Sequence, residues 1–165
     1  MSALMYLHQQ AIPTALSMLP EKMYSAPAEA MMLTIILQES RALYRRQIGG
    51  PARGFAQFEV TGVKGVMKHH LTKGFAENIL ERMHYPFDPV VVHTALEHND
   101  VLAAVFARLL LWTHPAPLPL QGEADKSWEY YLSLWRPGKP HKDTWAEFYQ
   151  QGWAIAKGGM NGRSI

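Results

Sequence analysis

The sequence predicts a mainly α-helical protein, and three observations carry the prediction. Apolar side chains recur at helical spacing, most cleanly at Trp128, Tyr131, Leu132 and Trp135. Residues that start and stop helices punctuate the chain, as Asp88-Pro89 and Arg136-Pro137-Gly138 do. Apolar and polar residues nowhere alternate over a useful length, so a small hairpin near residues 48–60 is the most β structure the pattern allows. At 165 residues, 48% apolar and 18% charged, the chain suits one domain, 1–165, with a sizeable core, and a disordered class is excluded.

Residues 1–20 carry no charged side chain. His8, Gln9, Gln10, Pro13, Thr14 and Ser17 interrupt the run, and no basic head precedes it, so it reads as helix rather than as a signal peptide. No stretch approaches the roughly 18 consecutive apolar residues of a membrane span. A helix is expected from Pro27, well placed in a first turn, to Ser40. It is apolar almost all round, as a central helix is. Residues 41–60, rich in Gly and Arg with a Gly49-Gly50-Pro51 break, read as an irregular loop.

Phe75, Ile79 and Met83 mark a helix from Gly74 to Met83, and Asp88-Pro89 starts another. Asn99 or Asp100 can cap a third, which the proline-rich segment from His114 to Gly122 ends. The Trp128 stripe stops at Arg136-Pro137-Gly138. Thr144 and Glu147 have capping-box spacing ahead of the stripe Trp145, Phe148, Tyr149 and Trp153, which Gly158-Gly159 is expected to end. Residues 158–165 then read as a flexible tail.

A net charge of +2 is too small to imply nucleic-acid binding. Without cysteine there is no thiolate nucleophile or cysteine-held zinc, and His93 and His98, five apart, do not share a helical face. A Gly-x-Ser-x-Gly elbow and a phosphate-binding Gly-rich loop are absent. No metal or cofactor is expected. His69 and His70, with Lys64, Lys68 and Lys73, form a basic patch that either attracts an anionic glycan or is solvated surface.

One carboxylate stands out. Glu39 lies seven residues after Met32, four after Ile35 and three after Ile36, on their apolar stripe, whereas Thr34, Gln38 and Arg41 share the other side and are expected to be solvated. Burial and the negative end of the helix dipole both favour its protonated form. Such an acid can protonate the leaving oxygen of a glycosidic bond. The alternative is an ordinary helix-end ion pair with Arg41, Arg45 or Arg46.

After Gln38-Glu39-Ser40 comes Ala52-Arg53-Gly54-Phe55-Ala56-Gln57-Phe58. This resembles the lysozyme-like lytic transglycosylases, in which a helix ends in Glu-Ser and a loop leads to Ala-x-Gly-Leu-Met-Gln. Here Phe55-Ala56 replaces Leu-Met, and the resemblance covers residues 28–60. The family's Ala-Tyr-Asn-Ala-Gly motif is absent; its nearest counterpart is the segment from Tyr130 to Pro140, with Tyr131 in place of the motif's tyrosine and no Asn.

The resemblance implies a helical fold of the soluble lytic transglycosylase and goose-type lysozyme kind. It makes Glu39 the catalytic acid and base, Ser40 a support at the helix end, and Gln57, Phe55 and Tyr131 substrate contacts. Beside these stand the plainer readings: Ser40 bonding free helix carbonyls, Phe55 and Phe58 in the core, Tyr131 packed on its stripe. Glu59 shares a face with Gln57 if the segment is extended, and is either a second groove carboxylate or a solvated charge.

The expected activity is cleavage of the β-1,4 linkage between N-acetylmuramic acid and N-acetylglucosamine. The enzyme would be a monomeric, divergent phage-type endolysin or virion-associated lysin, made in the cytoplasm and acting at the bacterial cell wall. The alternative is a noncatalytic helical module that binds glycan or a protein on the same scaffold.

Overall fold

The computed structural model describes residues 1–161. Its helices in chain order are α1 (Ala3–Tyr6), α2 (Ile12–Ser17), α3 (Ala26–Ser40), α4 (Val60–Lys68), α5 (Lys73–Arg82), α6 (Pro89–His98), α7 (Asp100–Trp112), α8 (Ala124–Trp135) and α9 (Lys142–Asn161). A π-helical turn, Leu7–Ala11, joins α1 to α2, and a 3-10 turn, Glu21–Met23, precedes α3. No strand forms among the described residues. Isolated bridges link Arg53 to Arg46 and to Phe58, so the expected hairpin is an irregular loop.

Helix α3 is the axis of the molecule. The Ser25 hydroxyl accepts from the Ala28 N–H at 3.2 Å and Pro27 sits in the first turn. At the other end Arg41 turns left-handed (φ 56°); its backbone N–H donates to the Leu37 carbonyl, and its Nη1 donates to the Leu37 and Gln38 carbonyls. From Ala28 to Leu37 every side chain is buried. Thr34 therefore does not mark a solvated side, as its spacing with Gln38 and Arg41 suggested; it is fully buried and donates to Ala30 O at 2.7 Å. The cause is α9, which crosses α3 closely. A Cβ added at Gly152 would stand 2.6 Å from Thr34 Oγ1 and 2.7 Å from Ala30 O.

Asp88 caps α6 through the N–H groups of Val90 and Val91, and Asn99 caps α7 through that of Leu102. Helix α7 is buried from Leu102 to Leu111 and joins α2, α3, α4 and α6 in one connected core. Three boundaries differ from the sequence reading. Helix α4 forms although Gly62, Gly65 and β-branched residues lower its propensity, because Val63, Val66 and Met67 are buried against the core. Helix α9 starts at Lys142, so Thr144 is not its cap; that hydroxyl donates to Gln38 Oε1 and to His141 O. The same helix passes through Gly158-Gly159 to Asn161, and residues 162–165 of the expected tail lie outside the described residues.

Candidate active site

Glu39 stands in the last turn of α3 at a groove of about 720 Å³. Gln57, Phe58, Glu59, the α4 residues Thr61, Gly62 and Gly65, Leu110 of α7 with Thr113 just past its end, and residues between Ser133 and His141 are among those that form its walls. Burial pushes the Glu39 carboxyl up from its ordinary 4.5 to about 7. The Tyr131 hydroxyl and the Arg41 charge work against that rise, and the nearby Glu59 charge adds to it. No ion pair among the described residues involves Glu39. Two of the three arginines of the plainer reading bond elsewhere: Arg41 caps α3 and lies over the Phe148 ring, acting on Glu39 only through its charge, and Arg45 forms a two-pronged bond to Asp100 at 2.9 Å.

Tyr131 donates its hydroxyl proton to Glu39 Oε1 at 2.5 Å. Its own pKa is driven far above the usual phenol range by burial, by the Glu39 charge and by this bond, so it stays a donor. The ring cannot swing away. It stacks on Trp145 at 4.7 Å and packs against Trp128 at 5.4 Å and Trp135 at 6.3 Å. With Oε1 occupied by a donor, the proton of neutral Glu39 resides on Oε2.

The loop 41–59 is fixed from several sides. Arg53 pairs with Glu97 at 3.1 Å, and His93 Nε2 lies 2.8 Å from Phe58 O, tying it to α6. Trp135 Nε1 donates to Ala56 O at 2.8 Å, tying it to α8. Gly54 takes φ 76° with Leu96 O where a Cβ would be, 3.0 Å away, so only glycine fits without strain. Gln57 also sits left-handed, at φ 51°, and closes the turn by donating its backbone N–H and its Nε2 to Gly54 O. A non-glycine residue held there is strained, as residues at functional sites often are.

Glu39, Gln57 and Glu59 thus share one groove, with Tyr131 directly behind the carboxyl; the segment is not extended, since Gln57 is left-handed, and Glu59 lies at the groove as an exposed charge. Ser40 and Phe55 do not line it. Ser40 is 2% exposed, donates to Ile36 O and Phe55 O and accepts from Ala42 N–H; its role is to hold the loop on the helix end. Phe55, expected as a substrate contact, is 3% exposed in the core, with Arg45 stacked over its ring at 4.5 Å. Tyr131, 2% exposed, is a positioning residue for Glu39 and not a lining residue.

His93 and Glu97 are committed to Phe58 O and Arg53, and no group of side chains able to hold a metal occurs among the described residues. The groove residues Gln47, Leu110, Thr113 and His141 had no sequence signal, because only tertiary packing brings them together, whereas Lys139 falls within the segment 130–140 that the resemblance marks. Comparison with known family models, curated proteins and solved structures found no match.

Proposed function

We propose that the protein is a peptidoglycan-cleaving glycosidase acting on the MurNAc–GlcNAc β-1,4 linkage as a lytic transglycosylase, with Glu39 as its acid and base. One observation carries the reading: a carboxyl with a pKa near 7 in an open groove, clamped by a tyrosine hydroxyl. A group that titrates near the working pH is available in both protonation states, as an acid that must later act as base requires. The Glu39 proton passes from Oε2 to the glycosidic oxygen as the bond to the anomeric carbon breaks. The carboxylate then takes the proton of the sugar's own hydroxyl as that oxygen closes on the anomeric carbon, giving an anhydro-sugar end and restoring the acid.

The lysozyme-like resemblance over residues 28–60 supports the same assignment. A phage endolysin or virion-associated enzyme fits a wall-cleaving activity of this kind. Among the described residues no helix is long and apolar enough to cross a membrane.

Glu59 favours a second reading, inverting hydrolysis, because it lines the groove and its charge reaches Glu39. In that reaction it would activate water at roughly 6.5–9.5 Å from the acid. Purified sacculi in a zymogram test the main proposal: the wild type clears the wall and Glu39→Gln does not. Equal clearing by the two removes Glu39 from the chemistry, and no clearing by either favours the noncatalytic binding module. Mass analysis of the released ends separates anhydro from hydrated sugars.

A further inference from the structure

The groove is lined by acidic and by basic side chains. Glu39 and Glu59 come from the end of α3 and the start of α4, whereas Arg136 and Lys139 come from the segment after α8, and His69 and His141 also line it. Arg136 uses its Nε on Ser133 O at 3.3 Å, and neither it nor Lys139 pairs with a carboxylate among the described residues. The next lysine along, Lys142, is paired with Asp125 at 3.4 Å.

The cationic segment is built in and does not hang free. It begins where Arg136 turns left-handed (φ 47°) beside Trp135, itself bonded to Ala56 O. It ends at His141, whose carbonyl accepts from Gln38 Nε2 at 2.9 Å, while Gln38 Oε1 accepts from Thr144 at 2.9 Å. Pro137 and Pro140 restrict the backbone between. Gln38 is the neighbour of Glu39, so one turn of α3 sets the position of both the acid and the cations. Arg136 and Lys139 line the same groove as Glu39, so a glycan seated there with its linkage at Glu39 shares the groove with both cations.

We propose that Arg136 and Lys139 form a carboxylate-binding subsite that selects glycan strands still bearing their peptide stems, whose free carboxylates they bind. The inference rests on the peptidoglycan reading of the groove and names the form of substrate it takes. Two exposed charge contacts of ordinary strength amount to about a fivefold preference.

The test uses Glu39→Gln, which binds without turnover. Its affinity is measured by calorimetry for soluble glycan strands with intact stems and for the same strands stripped of stems by an amidase and amidated at the lactyl carboxyls that the stripping frees. Intact strands are expected to bind about fivefold more tightly at low salt, with the preference fading at high salt. It should also disappear in Glu39→Gln carrying Arg136→Gln and Lys139→Gln at an unchanged melting temperature. Equal affinity for both strands, or a preference that survives the added substitutions or high salt, overturns the subsite. The salt series needs no further substitution, so a double variant that misfolds does not blunt the test. Binding to neither strand overturns the subsite together with the peptidoglycan reading, whereas wall clearing by Glu39→Gln overturns only the catalytic role.

Discussion

Replacing Glu39 by glutamine is expected to stabilise the protein above neutral pH while abolishing the wall cleavage proposed for it. The folded chain raises this carboxyl from 4.5 to about 7, so it holds the proton more tightly than the unfolded chain does. Below about pH 4.5 both states are protonated and burial costs nothing through this group. As pH rises toward 7 the unfolded chain releases a proton that the folded chain retains, and stability falls. Above 7 both are ionised and the folded state carries the full cost, about 3 kcal/mol at 1.36 kcal/mol per unit. Glutamine is neutral throughout and its Oε1 still accepts from Tyr131.

Urea or thermal unfolding of both proteins from pH 4 to 8 reads the difference directly, because the other titrating groups cancel. The two should be within about 1 kcal/mol at pH 4. The variant should gain about 3 kcal/mol by pH 8, roughly 6–12 °C in Tm for a chain of this size. A difference that stays flat across the range would mean that Glu39 is solvated in the folded state, and the account of its acidity would be wrong.

Other expectations follow from single contacts. Tyr131→Phe removes a donor that steadies the carboxylate, so the Glu39 pKa should rise above 7, and the limb of the pH–activity profile that reports it should move up by about one unit; an unmoved limb counts against the clamp. Gly152→Ala pushes a methyl against Thr34 and the Ala30 carbonyl and should destabilise by about 1–3 kcal/mol in denaturant titrations. Ser40→Ala leaves the buried Phe55 carbonyl and Ala42 N–H without this partner and should cost about 1–3 kcal/mol. Glu59→Gln should leave wall cleavage and anhydro products in place if Glu39 works alone; loss of cleavage would favour the hydrolytic reading.

Much of the scaffold is legible in the residues because its signals are local. Asp88 and Asn99 cap the helices they announce, and Trp128, Tyr131 and Trp135 share the face that their spacing gives them. Helix α4 was hidden because its glycines and β-branched residues argue against a helix that burial of Val63, Val66 and Met67 enforces. The start of α9 was misread because the Thr144 hydroxyl serves Gln38 on another helix. At the site, Glu39 could be singled out because its spacing from Met32, Ile35 and Ile36 sets a carboxylate on an apolar stripe at the negative end of its helix. Phe55 and Gln57 sit in one short motif, yet a left-handed turn sends the first into the core and the second to the groove. The wall from Ser133 to His141 was legible only in part: the resemblance marks the segment 130–140, but nothing in its own composition says that it folds back toward the end of α3.

The central claim is that one largely buried carboxyl titrates near neutral pH and not in the ordinary carboxylate range, and a titration of the glutamate side-chain carboxyls by 13C NMR tests it most directly. One resonance, missing in Glu39→Gln, should titrate at about 7. If that resonance titrates near 4.5, Glu39 is an ordinary surface carboxylate and cannot serve as the acid.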